Sequence, residues 1–272
     1  AINKMDLVNY SKLEYEQIVT DYCNFASEAL ELEEIVAVPI SALNGDNVVE
    51  NSQNMPWYND STVMDYLETV EVASSSQSRS FRMPVQWVNR PSHDFRGFTG
   101  LISSGIVKVG DKVRVYPSGR ESSIERIVTM GRDLDFAGAG RSITLTLNDE
   151  IDVSRGDLIT TIDSPCSIAD QFQARILWMD DSAMMPGRQY LLKSNTQTTA
   201  LTLGRLKYKI DVNTLEKLPA KLLDMNEIGV CNISLANKIA FDSYNTDPST
   251  GGFIVVDRMT NNTVGMGLID FA

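Results

Sequence analysis

Two hydrophobic periods occupy this chain, one after the other. From Ser11 onward the apolar residues Ile18, Tyr22, Phe25 and Ala29 recur at intervals of three and four, which places them on one face of a helix. Ser11 and Glu14 carry the S-x-x-E spacing of a capping box, so the helix is predicted to start there. Glu34 to Ile40 reads as a short buried strand, and Ala1-Ile2 as the end of another. Strand, helix and strand make a βαβ unit, with a right-handed crossover expected. A loop rich in Asn and Pro follows from Asn44 to Asp60, and a second helix is predicted over roughly Thr62 to Val70, capped by Ser61.

The stretch Ala73 to Ser80 holds no large apolar side chain and is predicted to be an extended, exposed connector. Beyond it the period becomes 2. Phe81, Met83, Val85 and Trp87 alternate with polar or proline positions, as do Val113 and Val115, then Ile143, Leu145 and Leu147. Turn signals punctuate these runs at Val109-Gly110-Asp111, Pro117-Ser118-Gly119, Gly138-Ala139-Gly140 and Arg155-Gly156-Asp157. Short alternating strands with such spacing predict an antiparallel sandwich or a barrel. A boundary near Asp163-Ser164-Pro165 divides the remainder into two pieces of barrel size. The expected organisation is a partial α/β domain over 1–72, a linker over 73–80, and β-barrels over 81–163 and 164–272. The fold class is therefore multidomain, α/β plus β.

Composition narrows the functional classes. The 272 residues are 43% hydrophobic, enough for real cores, and the formal net charge is −12. That balance argues against bulk attraction to phosphate backbones. No apolar run nears the roughly 20 residues of a membrane-spanning helix, and Ala1-Ile2-Asn3-Lys4 lacks a signal peptide's apolar core. The single histidine, His93, excludes His-cluster metal sites and is read as a surface residue in a turn-rich stretch. The cysteines Cys23, Cys166 and Cys231 are odd in number and form no C-x-x-C. Neither zinc nor a disulfide framework is indicated, and a cytoplasmic setting is expected.

One pair of motifs carries chemistry. Asn3-Lys4-Met5-Asp6 has the form N-K-x-D and closes the first strand, while Ser41-Ala42-Leu43 closes the next. Both loops then lie side by side at the carboxyl edge of a parallel pair, where open α/β folds bind ligands. A carboxylate at Asp6 can accept from guanine N1–H and from its 2-amino group, donors that adenine lacks. Asn3 can brace the loops and the stem of Lys4 can cover the base face. The Ala42 N–H can donate to guanine O6, with Ser41 orienting Asp6.

These two motifs resemble the fourth and fifth motifs of the translation-factor class of GTPases, and two barrels after the G domain are similar to that class too. Within it, Asn44 to Val49, Met55 to Tyr58 and Phe81 to Asn89 resemble the GTPase (large) subunit of bacterial ATP sulfurylase. So do Asp94 to Gly100, Asn226 to Gly229 and Thr250 to Arg258. The resemblance implies a complex with a small catalytic subunit, which transfers the AMP moiety of ATP to sulfate and releases pyrophosphate. GTP hydrolysis on the large subunit is coupled to that step.

The phosphate-binding half of such a site is not found. The dipeptide Gly-Lys of G-x-x-x-x-G-K-[ST] occurs nowhere. The two D-x-x-G matches, Asp94 to Gly97 and Asp135 to Gly138, fall in the β region and are read as turns. The chain is therefore expected to begin partway through its G domain. It would retain guanine contacts through Asn3, Lys4, Asp6, Ser41, Ala42 and Leu43, with GTP or GDP as ligand and Mg²⁺ held elsewhere. Catalytic and metal-ligating residues are expected to be lacking. The second reading is an elongation-factor-like carrier of aminoacyl-tRNA, against which the acidic balance weighs. A third is a purely structural double barrel.

Overall fold

A computed structural model describes residues 1–29, 35–70, 75–92 and 95–271. The chain forms two compact units, Ala1–Ala73 and Ser74–Ala272. Glu34, Ala73 and Ser74, on which parts of the predicted strand and linker fall, lie outside the described residues, as do His93 and Asp94.

In the first unit helix α1 runs from Lys12 to Ala29. Ser11 Oγ accepts from the Glu14 N–H at 3.3 Å, as the S-x-x-E spacing anticipates. Ile2 and Pro39 form a parallel bridge, with Ile2 N–H to Val38 O and Ile40 N–H to Ile2 O both at 2.8 Å. Met5, Val38, Ile40, Met55 and Tyr58 make the small core. The face of α1 that periodicity selected is only partly covered: Ile18, Tyr22 and Phe25 remain 44%, 48% and 38% exposed. Ile18 and Tyr22, together with Ile2, Val19 and Val36, line a cavity of about 450 Å³.

Helix α2 spans Val63–Thr69. Its cap is Thr62, not the predicted Ser61. Thr62 Oγ1 accepts from Asp65 N–H and Asp65 Oδ2 accepts from Thr62 N–H, a reciprocal box. The reason is spacing, because only Thr62 has a carboxylate three residues on.

The second unit opens on a single helical turn, Ser75–Ser78, in place of the extended connector expected there. Its carbonyl at Ser76 accepts from Gly105 N–H at 2.7 Å, so backbone bonding decides the conformation where side chains could not. Gly105 has φ +74°, and a Cβ there would lie 2.4 Å from the Phe81 nitrogen. Gly105→Ala is expected to destabilise the chain by about 2–3 kcal/mol, read as a lower urea midpoint.

The first barrel is antiparallel, with strand order Arg82–Pro84, Leu158–Thr161, Lys112–Tyr116, Arg120–Thr129, Ser142–Leu147, Phe95–Leu101 and Trp87–Ser92. Gln86 N–H to Thr99 O and Arg82 N–H to Ser104 O close it, because 82–92 is one bent strand flanked on both sides. Phe81, Met83 and Val85 point into the core, but Trp87 is 60% exposed. The bend at Val85-Gln86 shifts the phase by one residue, and Val88 packs on the core instead. Phe136–Gly138 is a short strand paired with Ile106–Lys108, and Phe95–Leu101 contains Gly97, so Phe95 to Gly97 and Phe136 to Gly138 are strand, with Asp135 at the bend before the second. Arg155-Gly156-Asp157 does form a turn, with Asp157 N–H bonded to Ser154 O.

The second barrel follows the order Gln189–Ser194, Gly252–Asp257, Thr263–Phe271, Ser167–Trp178, Ile228–Phe241 and Gln197–Ile210, and Gln189–Ser194 pairs back on Gln197–Ile210 to close it. Trp178, Tyr190, Phe172, Phe241 and Phe253 fill it, joined by the buried Met184. Where the barrels meet, Arg82 donates through Nε and Nη2 to the two Asp242 oxygens at 2.8 Å each. Its Nη1 also donates to the carbonyls of Phe81 and Ser164, both at 2.9 Å. Ser104 Oγ donates to Asp247 Oδ2 at 2.6 Å beside it. Burial alone would lower the Arg82 pKa, and the bonds to Asp242 outweigh it, so the guanidinium is held above its usual range.

Candidate functional site

The two sequence motifs meet at the edge of the Ile2–Pro39 pairing. Met5 N–H bonds Ile40 O at 3.2 Å, which holds the Asn3–Asp6 loop against the strand that delivers Ser41. Lys4 adopts a left-handed conformation, φ 68° and ψ 32°, turning the chain sharply into the short 3₁₀ helix Met5–Val8. A non-glycine residue in that region is costly and persists where surrounding contacts enforce it. Asn3 is the enforcing residue, because its Oδ1 accepts from Lys4 N–H at 2.7 Å and from Ala42 N–H at 3.0 Å. It thus stitches the two loops, the bracing role read from the sequence.

The fully buried Ser41 donates its hydroxyl to Asp6 Oδ1 at 2.7 Å. That bond orients the carboxylate while Asp6 Oδ2 carries no hydrogen bond among the described residues. Asp6 therefore keeps an unused acceptor on one oxygen and a spare lone pair on the other, which fits a ligand offering two adjacent N–H donors. Ala42 differs from expectation: its N–H is engaged by Asn3 rather than left for a base oxygen. Asn3 is itself exposed, so that donor can be shared or released. Leu43 is 86% exposed and Lys4 is exposed, giving two aliphatic surfaces open to solvent.

A second layer was not foreseen from the motifs. Asp46 accepts from Tyr10 Oη at 3.1 Å, from Ser52 Oγ at 2.5 Å and from Asn54 Nδ2 at 3.1 Å. Buried Asn47 donates to Pro39 O at 2.9 Å and accepts from Ser52 N–H at 2.7 Å. These bonds fix the turn that follows Ser41, whose carbonyl accepts from Gly45 N–H at 2.8 Å. The signal in the sequence is Asn44-Gly45-Asp46-Asn47, residues that favour turns through their own side chains. Trp57 donates to Tyr10 O at 3.1 Å and packs on Tyr15 and Tyr58, so this aromatic pair serves the loop's interior.

Other chemistry finds little support. Burial pushes the thiols of Cys166 and Cys231 up to about 12, which removes both as nucleophiles at neutral pH. Among the described residues no group of three metal-ligating side chains comes together, and no helix is long and apolar enough to cross a membrane.

Residues 171–270 match the family described as GTP-eEF1A C-terminal domain-like. The fold is similar to Sup35 complexed with GMPPNP (TM-score 0.65, 20% identity, 99% of this chain and 68% of that one). It is also similar to translation elongation factor SelB from Methanococcus maripaludis (TM-score 0.60, 20% identity, 99% and 57%). At the sequence level the chain is 46% identical to sulfate adenylyltransferase subunit 1 of Aliarcobacter butzleri over 99% of its length. It is 48% identical to the bifunctional enzyme NodQ of Rhizobium meliloti over all of it. It spans 57% of the first of these relatives and 42% of the second. Identity at this level runs along essentially every residue, so the chain is similar over its whole length to sulfate adenylyltransferase subunit 1, and its fold is that of the translation factors.

Proposed function

We propose that the chain supplies the guanine-recognising edge and the two barrels of a GTP-binding subunit of sulfate adenylyltransferase. In that complex GTP hydrolysis drives formation of adenosine 5′-phosphosulfate from ATP and sulfate, the AMP moiety passing to sulfate as pyrophosphate leaves. The observation that carries the proposal is the convergence of Asn3, Asp6, Ser41 and Ala42 on one strand edge, with Asp6 held ready by Ser41. Asp6 accepts from the base, Asn3 and Ser41 hold the loops, and Lys4 and Leu43 shield its faces. Bound GTP supplies the free energy of its hydrolysis, with Mg²⁺ at the phosphates. The partner is the small catalytic subunit, and the setting is the cytoplasm.

The test is reconstitution of the full-length subunit with the catalytic subunit. Adenosine 5′-phosphosulfate should accumulate in proportion to GTP consumed, and accumulation that ignores GTP overturns the proposal. The chain alone, with base contacts only, is expected to show no micromolar binding of a fluorescent GDP analogue.

The elongation-factor reading shares the fold. It calls for a basic face, yet residues 81–272 hold 21 basic and 22 acidic side chains, while residues 1–80 hold 3 and 14. The barrels that would carry tRNA have no excess of positive charge.

A further inference from the structure

Tyr10 stands where the two loops of the base site could otherwise move apart. It follows Asn9 in the left-handed region, with φ 50° and 57° on consecutive residues, neither of them glycine. Lys4, at φ 68°, adds a further such residue to the same short segment. Backbone of this kind is costly and persists where several contacts enforce it. The Tyr10 N–H donates to Met5 O at 2.8 Å, and the Tyr10 carbonyl accepts from Trp57 Nε1 at 3.1 Å. Both ends of the residue are thereby fixed, and its side chain reaches the turn that follows Ser41.

The hydroxyl completes the connection. Tyr10 Oη donates to Asp46 Oδ2 at 3.1 Å and accepts from Asn44 Nδ2 at 3.0 Å, so its proton and a lone pair are both used. Asp46 is in turn paired with Ser41 through the backbone, Ser41 N–H to Asp46 O at 3.3 Å and Asp46 N–H to Ser41 O at 3.1 Å. Ser41 Oγ accepts from Asn44 N–H at 3.4 Å and donates to Asp6 Oδ1 at 2.7 Å. The contacts therefore run in a ring from Met5 through Tyr10, Asp46 and Ser41 back to Asp6, the residue next to Met5. Removing one hydroxyl opens that ring.

We infer that Tyr10 is a positioning residue of the guanine site: its hydroxyl holds the Ser41–Asp46 turn in register with the Asn3–Asp6 loop and so aims the Asp6 carboxylate. It acts through Ser41 and not on the nucleotide. The inference rests on the reading of the chain as part of a GTP-binding subunit. Loops held in the bound arrangement beforehand need no ordering when the ligand arrives, which raises affinity. Loss of the tether then shows as faster release of nucleotide.

The test follows binding and release of a fluorescent GDP analogue by the full-length subunit. Tyr10→Phe is expected to raise Kd about tenfold, chiefly through the dissociation rate. In hydrolysis by the complex the change should fall on KM for GTP and not on kcat. Asn44→Ala removes an exposed donor to the same hydroxyl, is expected to raise Kd about threefold, and serves if Tyr10→Phe fails to fold. Coupling separates positioning from a general loosening of the fold. In a Ser41→Ala background either substitution should change Kd by less than about twofold, because its route to Asp6 is already cut. A loss that persists at full size in that background places the effect elsewhere and overturns the inference. Parent-like Kd in both single variants also overturns it, while GDP binding by the parent leaves the functional reading intact. A parent subunit that binds no GDP overturns both.

Discussion

Arg82→Met is expected to lower the unfolding free energy by about 3–5 kcal/mol, because it strands a buried carboxylate. Asp242 is 7% exposed and receives both Arg82 bonds, leaving only the Thr250 hydroxyl at 2.8 Å after the substitution. The same change frees the Phe81 and Ser164 carbonyls that Arg82 satisfies at the seam. The consequence is local to the barrel junction. Urea unfolding followed by fluorescence should split into separate transitions for the two barrels, where the parent unfolds in one. Replacing both partners, as Arg82→Met/Asp242→Leu, should recover most of the loss, since an apolar pair carries no desolvation penalty. A loss below about 1 kcal/mol in the single variant would show that water reaches the pair and that the seam is held by other contacts.

Asp6→Asn in the full-length subunit is expected to reduce GTP affinity by about 10²- to 10³-fold, the loss of two charge-assisted bonds worth about 1.5–3 kcal/mol each, partly offset by water. The amide offers an N–H where the carboxylate accepted, so xanthosine triphosphate, with an oxygen in place of the 2-amino group, should gain affinity. Ser41→Ala should give a smaller loss with no change of base preference, because it loosens Asp6 without altering its chemistry. Competition of GTP and xanthosine triphosphate against a fluorescent nucleotide measures both. Unchanged GTP binding in Asp6→Asn would remove Asp6 from the base site.

The parts of the fold governed by local rules were legible. The 3.6 period and Ser11–Glu14 mark α1, and the N-K-x-D and S-A-L loops meet at one edge as their positions after two strands require. Strand phase was less legible. Phe81, Met83 and Val85 continue into Trp87 by simple alternation, but backbone pairing bends the strand at Gln86 and turns the tryptophan outward. The Ser75–Ser78 turn is set by a bond to distant Gly105, which composition cannot express. At the site, Asp6 and Ser41 follow from chemistry, whereas the Ala42 N–H is redirected by Asn3, a competition between neighbours visible only in three dimensions.

Closure gives the second barrel a property the first unit lacks. Every strand of its ring is paired on both sides, so the ring offers no free row of amides for another chain to extend. The short parallel bridge at Ile2 and Pro39, lying beside the half-covered Ile18, Tyr22 and Phe25, leaves such an edge next to an apolar face. Colloidal behaviour then divides along the same line as architecture. Intermolecular strand pairing is thus expected to start from the first seventy residues rather than from the closed barrel, and the 14 acidic side chains of residues 1–80 oppose it by mutual repulsion.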